Sequence, residues 1–143
     1  MKRNRRDILF KDEYGKNIVY DTGTYRISVD SPSDAERVIL WHLKDDKWQK
    51  VGVLDTRKSE LFNNFLDRNG YYLSVNHIDI ISQHRGMGHA KRMYRALADF
   101  SSPQVKGIFS YLPNRSNKKQ IPKIYKSFGA KTVDDYQYID FED

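Results

Sequence analysis

The chain of 143 residues contains no cysteine. Disulfides, thiolate metal sites and cysteine nucleophiles are therefore excluded together. Long apolar runs are also missing. The longest resemble Val38–Trp41, far short of the roughly 20 residues a membrane-spanning helix needs. The opening "MKRNRRDILF" is basic but carries no apolar stretch of signal-peptide length. These absences predict a cytoplasmic protein that does not enter a membrane. Proline is scarce, at four residues, and no Pro- or Gly-rich linker divides the chain. A single domain over 1–143 is expected. No HExxH is present, and the four histidines, His42, His77, His84 and His89, are not spaced as zinc ligands. No metal site is expected. A GxSxG elbow and a GxxxxGK[ST] phosphate loop are both absent, which removes the serine hydrolases and the P-loop nucleotidases.

Positive charge is plentiful. The net charge is +6 and the isoelectric point about 9.4. That balance favours an anionic partner without choosing among phosphorylated metabolites, nucleic acid and acidic surfaces. Lys2, Arg3, Arg5 and Arg6 concentrate it at the N-terminus. Residues 1–10 read either as a solvated tail or as a flexible basic arm that contacts nucleic acid.

Mixed periodicities follow. "TYRISV" (24–29) reads as a strand. "RVILWHL" (37–43) and "WQKVGVL" (48–54) flank a polar tetrad and read as a hairpin. Leu61, Phe62, Phe65 and Leu66 have helical spacing and predict a short helix within 59–70. Tyr71–Ile81 is a long strand whose apolar phase switches. Leu73 and Val75 are odd, whereas Ile78 and Ile80 are even. One extra residue near Asn76 and His77, a β-bulge, produces such a switch; burial of both faces is the alternative. Ala90, Met93, Tyr94, Leu97 and Ala98 define an amphipathic helix that closes at Ser101-Ser102-Pro103. A strand over 105–112, a polar loop over 113–120, a short helix between Pro122 and Gly129, and one or two strands in 131–141 complete a mixed α/β layer.

The strongest chemical signal is "SQHRGMGHAKR" (82–92). Glycine admits close backbone approach, and the free N–H groups of a helix start attract phosphate. Lys91, Arg92 and Arg95 occupy the first turns of that helix and Asp99 its end. This order opposes the helix dipole unless an anion sits at the start. Lys91 stands where a dinucleotide fingerprint has its third glycine.

The strand–loop–helix "IISQHRGMGHAKRMYRAL" resembles the GCN5-related N-acetyltransferase (GNAT) superfamily, whose coenzyme A motif is [Q/R]-x-x-G-x-[G/A]. Arg85-Gly86-Met87-Gly88-His89-Ala90 fits that pattern, and so does the register opening at Gln83. The first register places Ile80 where the family's strand has an apolar residue before the turn. "KIYKSFGAK" (123–131) is similar to the family's C-terminal segment. His89 and Ala130 depart from the usual residues.

The resemblance implies an α/β fold of the α+β type: a mixed, mainly antiparallel sheet flanked by helices, with a bulged central strand. It implies acetyl-CoA as the cofactor, bound by the strand end Ile80–Ile81, by Gln83, Arg85, Gly86, Met87, Gly88, His89 and Ala90, and by Asn117. It implies that Tyr125 is the general acid; as a residue alone Tyr125 also reads as a core aromatic. His77 and Asp79, on the face that turns polar, are the candidate general bases. The expected activity is acetyl transfer to an amine of unspecified class by direct attack. The alternatives are a basic nucleic-acid-binding module and a GNAT-like binding protein without catalysis. Tyr71, Tyr72, Tyr111, Tyr136 and Tyr138 would stack bases in the first alternative, and otherwise pack.

Overall fold

Alternating β-branched and aromatic residues set most of the strands. The computed structural model describes residues 1–59, 62, 66, 69–113 and 121–142. Their strands are β1 (Phe10–Lys11), β2 (Asn17–Asp21), β3 (Tyr25–Asp30), β4 (Arg37–Lys44), β5 (Lys47–Ser59), β6 (Tyr71–Ile80), β7 (Val105–Tyr111), β8 (Lys131–Val133) and β9 (Tyr136–Asp140). The helices are α1 (His89–Phe100) and α2 (Lys123–Ser127). One sheet runs in the order β1-β2-β3-β4-β5-β6-β7-β9-β8. Every neighbouring pair is antiparallel except β6 and β7. The predicted hairpin turns at Asp45 and Asp46, both left-handed with φ 52° and 60°, as a two-residue turn demands.

The phase switch in β6 is a bulge. Asp55 pairs with His77, but Thr56 pairs with Val75, so Asn76 is the extra residue. Before it Leu73 faces the core; after it Ile78 and Ile80 do, and His77 and Asp79 are exposed. Without the bulge, the two halves of β6 would turn opposite apolar sets inward.

β6 and β7 part early. Their parallel pairing runs only from Tyr71–Val105 to Ser74–Phe109. Beyond Ser74 the β7-facing backbone of β6 pairs with no strand among the described residues. α1 packs on β3 and β4 through the predicted stripe: Met93, Leu97 and Ala98 are buried against Ile27, Leu40 and Leu54. The opposite face holds a second cluster, in which Phe62 stacks on Phe109 at 4.2 Å and touches Tyr72, Tyr136 and Tyr138. Of the five tyrosines weighed for base stacking, Tyr72 is buried and only Tyr111 is largely exposed. The rest of the helix expected within 59–70 lies mainly outside the described residues.

The basic N-terminus is built into the domain. The Met1 ammonium donates to Asp140 O at 2.6 Å, and Arg3 N donates to Glu142 O at 2.6 Å. Arg3 and Arg5 reach the carbonyls of Ser102 and Ser101. Asn4 N and the guanidinium groups of Arg6 and Arg95 surround the buried Asp99 carboxylate at 2.9, 3.5 and 3.5 Å. Residues 1–6 thus contact the end of α1 and the C-terminal strand, with Arg3 buried and Lys2, Asn4, Arg5 and Arg6 exposed. A buried carboxylate at the wrong end of α1 needs compensating donors, and the N-terminal bases supply them. The residues not anticipated at all are β1 and β2, whose segments are too short and too mixed in polarity to show a period.

Candidate active site

A turn without side-chain caps opens α1. Gly86 and Gly88 both adopt left-handed conformations, with φ 76° and 80°, and Gly88 is the helix N-cap. Such backbone is strained for any residue with a Cβ. At Gly86 an added Cβ meets nothing within 4 Å, so the glycine serves the backbone conformation and leaves the space before it open. From Gly86 to Lys91 the backbone N–H groups meet no protein acceptor among the described residues. Six unpartnered donors at a helix start are the kind of cradle that can hold an anion.

The cradle opens into a cavity of about 580 Å³ that lies along the diverging end of β6. Asp79, Ile80, Arg85, Gly86, Gly88, His89 and Ala90 line it. Lys91, Tyr94, Lys123, Ile124 and Ser127 also line it. Lys91 and Lys123 add positive charge at positions for which the motif gives no role. Gln83, Ile81 and Met87 are exposed and do not line the cavity. Arg85 does line it, held by Nε donating to Ile80 O at 2.6 Å and by an ion pair with Asp79 at 3.3 Å. The two registers of the motif are therefore physically unequal, since only the one opening at Arg85 starts inside the cavity. Asn117 lies outside the described residues.

A second cavity, of about 330 Å³, continues on the far side. His77, Asn76 and Tyr125 line it, with Ser110 and Gln137 from β7 and β9. Ile78, Tyr94 and Ile124 border both cavities. The structure so brings His77 and Tyr125 to one space and sets Asp79 in the other, where it is already paired with Arg85. Tyr125 is buried, and its hydroxyl accepts from that of Tyr94 at 3.5 Å. No group of histidines and carboxylates among the described residues is arranged to hold a metal ion.

Three of the four histidines cluster under the loop around Tyr25. Its ring lies 4.9, 5.6 and 4.3 Å from those of His42, His84 and His89, and its hydroxyl is 2.7 Å from His84 Nδ1. Arg92 Nη1 donates to His89 Nδ1 at 3.2 Å, which places the neutral ring's proton on the buried Nε2. Burial, then Arg92, then His84 hold His89 below its ordinary pKa. Burial and His42 do the same for His84. The native state therefore binds protons less readily than the unfolded chain, and the stabilisation is present above the unfolded pKa of about 6.5. Unliganded protein is expected to lose thermal stability as pH falls through about 6.5. Melting curves between pH 8 and 5.5 check this, and His89→Asn should flatten the dependence.

The sheet order, the bulged β6, its parting from β7 and the glycine turn at α1 define a GNAT-like fold. Structural similarity agrees. Arabidopsis thaliana NAA60, solved with a bisubstrate analogue, matches at a TM-score of 0.60 and 14% identity, over 76% of each chain. KacT, as its Y145F mutant, matches at 0.44 and 14% identity, over 75% of this chain and 71% of that one. AtaTR bound with AcCoA matches at 0.43 and 17%, over 75% and 68%. No family model and no curated protein sequence matches at a significant level. No helix among the described residues is long and apolar enough to cross a membrane.

Proposed function

We propose that this chain is an acyl-CoA-dependent N-acyltransferase that moves an acetyl group from acetyl-CoA to an amine. The observation that carries the reading is the run of unpartnered N–H groups from Gly86 to Lys91 at the mouth of the parted strands. Acetyl-CoA fits these residues. The pyrophosphate takes the cradle together with Arg85, Lys91 and Lys123, and the pantetheine arm takes the unpaired edge of β6 beyond Ser74. The bound thioester supplies an activated acyl carbon and a thiol leaving group.

The chain's own groups handle the protons. His77 lines the second cavity, where an acceptor amine would enter, and takes a proton from it directly or through water. Asp79 is the weaker candidate because Arg85 occupies its carboxylate. Tyr125 gives its phenolic proton to the departing sulfur as the carbon–sulfur bond breaks. Asn117 would contact the cofactor ahead of α2. A nucleic-acid role gains no support from the N-terminus, where Arg3 and Arg5 bond backbone carbonyls and Arg6 pairs with Asp99.

Thermal shift tests the reading. Acetyl-CoA at about 100 times its Kd should stabilise the fold by about 2.7 kcal/mol, raising Tm by roughly 8 °C for a domain of this size. A single-stranded polynucleotide should leave Tm unchanged. The reverse pattern would replace an acyltransferase with a nucleic-acid-binding module.

A further inference from the structure

Tyr94 borders both cavities from α1, whereas Tyr125 borders only the second. The two rings meet edge to face, with centroids 5.5 Å apart and planes at 87°. Both side chains are buried, and the Tyr94 hydroxyl donates to the Tyr125 hydroxyl at 3.5 Å. Pairing two phenols in a desolvated seam between cavities is not needed for packing. Phenylalanine fills the same volume and leaves no polar group to satisfy.

We propose that Tyr94 is a positioning residue for proton donation by Tyr125: its O–H fixes the Tyr125 oxygen and stabilises the phenolate left when Tyr125 protonates the leaving sulfur. This rests on the acid role given to Tyr125 above. The step balances. The carbon–sulfur electron pair goes to sulfur, the Tyr125 proton follows it, and Tyr94 keeps its own proton while its hydrogen bond shortens onto the new charge. Burial, and then the neighbouring Tyr125, push the Tyr94 phenol well above its ordinary pKa. Tyr94 therefore keeps its own proton. Its place at the junction also sets that donor between the larger cavity, where the pantetheine arm would lie, and the smaller one, which Tyr125 borders.

A double-mutant cycle tests this in single-turnover assays with acetyl-CoA and an amine acceptor found by screening. Tyr94→Phe should slow acetyl transfer about tenfold, the worth of one hydrogen bond to a charged oxygen. Affinity for acetyl-CoA should be unchanged, and the alkaline limb of the rate profile should move to higher pH. In a Tyr125→Phe background the same substitution should have no effect. An equal loss in both backgrounds, or no loss in the intact protein, overturns the proposal while leaving the acid role standing. If Tyr125→Phe alone leaves the rate intact, the acid role fails first and Tyr94 with it. Should Tyr94→Phe not fold, a fluorinated tyrosine at position 94 keeps ring and hydroxyl but donates more strongly. The alkaline limb must then move to lower pH, and a limb that stays put overturns the proposal.

Discussion

Tyr125→Phe is expected to lower kcat by about 100- to 1000-fold, the usual worth of a positioned general acid, while KM for acetyl-CoA stays within about twofold. The substitution removes one oxygen and keeps the ring. That ring packs edge to face on Tyr94 and sits in the main core cluster with Leu97 and Ile108, so its burial is conserved. The Tyr94 hydroxyl loses its only described partner, at a cost of about 1 kcal/mol. A small drop in Tm with a large drop in kcat thus separates an acid from a core aromatic. Equal turnover by the two proteins would leave Tyr125 as packing alone. Acetyl-CoA binding without turnover in the unsubstituted chain, across a broad amine screen, would favour the non-catalytic binding protein.

The second large effect belongs to Gly86. Gly86→Ala should weaken acetyl-CoA only modestly, because its Cβ enters open space and its cost is backbone strain, of about 1–2 kcal/mol in the left-handed region. Gly86→Glu adds a carboxylate beside the cradle. Two unit charges about 5 Å apart at an effective dielectric near 20 repel by roughly 3 kcal/mol, so Kd should rise by at least about 100-fold. Titration calorimetry of the three proteins reads this directly. If the glutamate variant binds like the alanine variant, the phosphates do not lie at Gly86.

Much of this site is visible in the residue pattern. The phase switch from Val75 to Ile78 is legible because side chains alternate along a strand, and the register chooses the bulge over burial of both faces. The glycines at 86 and 88 and the stripe from Ala90 to Ala98 mark the turn and the helix, since left-handed backbone and helical period are both local properties. Lys123 and Ser127 were not legible as cavity residues. They line the larger cavity only because the fold brings α2 to it, a tertiary event with no local period. Tyr94 was legible as part of the apolar stripe and was therefore read as core, which hid its hydroxyl. The fate of the N-terminal bases was hidden too. Only the fold shows that Asp99 is buried and needs them. The distinction between His77 and Asp79 likewise depends on Arg85 turning back onto the end of β6.

The parting of β6 and β7 has a mechanical consequence. Four registered pairs join these strands, against eight between β5 and β6. The sheet is therefore two plates with a short weld, β1 to β6 on one side and β7, β9 and β8 on the other. Side chains of the first plate, of α1 and of α2 border the gap past the weld. A long ligand laid in that gap replaces missing rungs with its own amides. The weld would then lengthen only while such a ligand is bound, beside the cavities where the chemistry is proposed to occur.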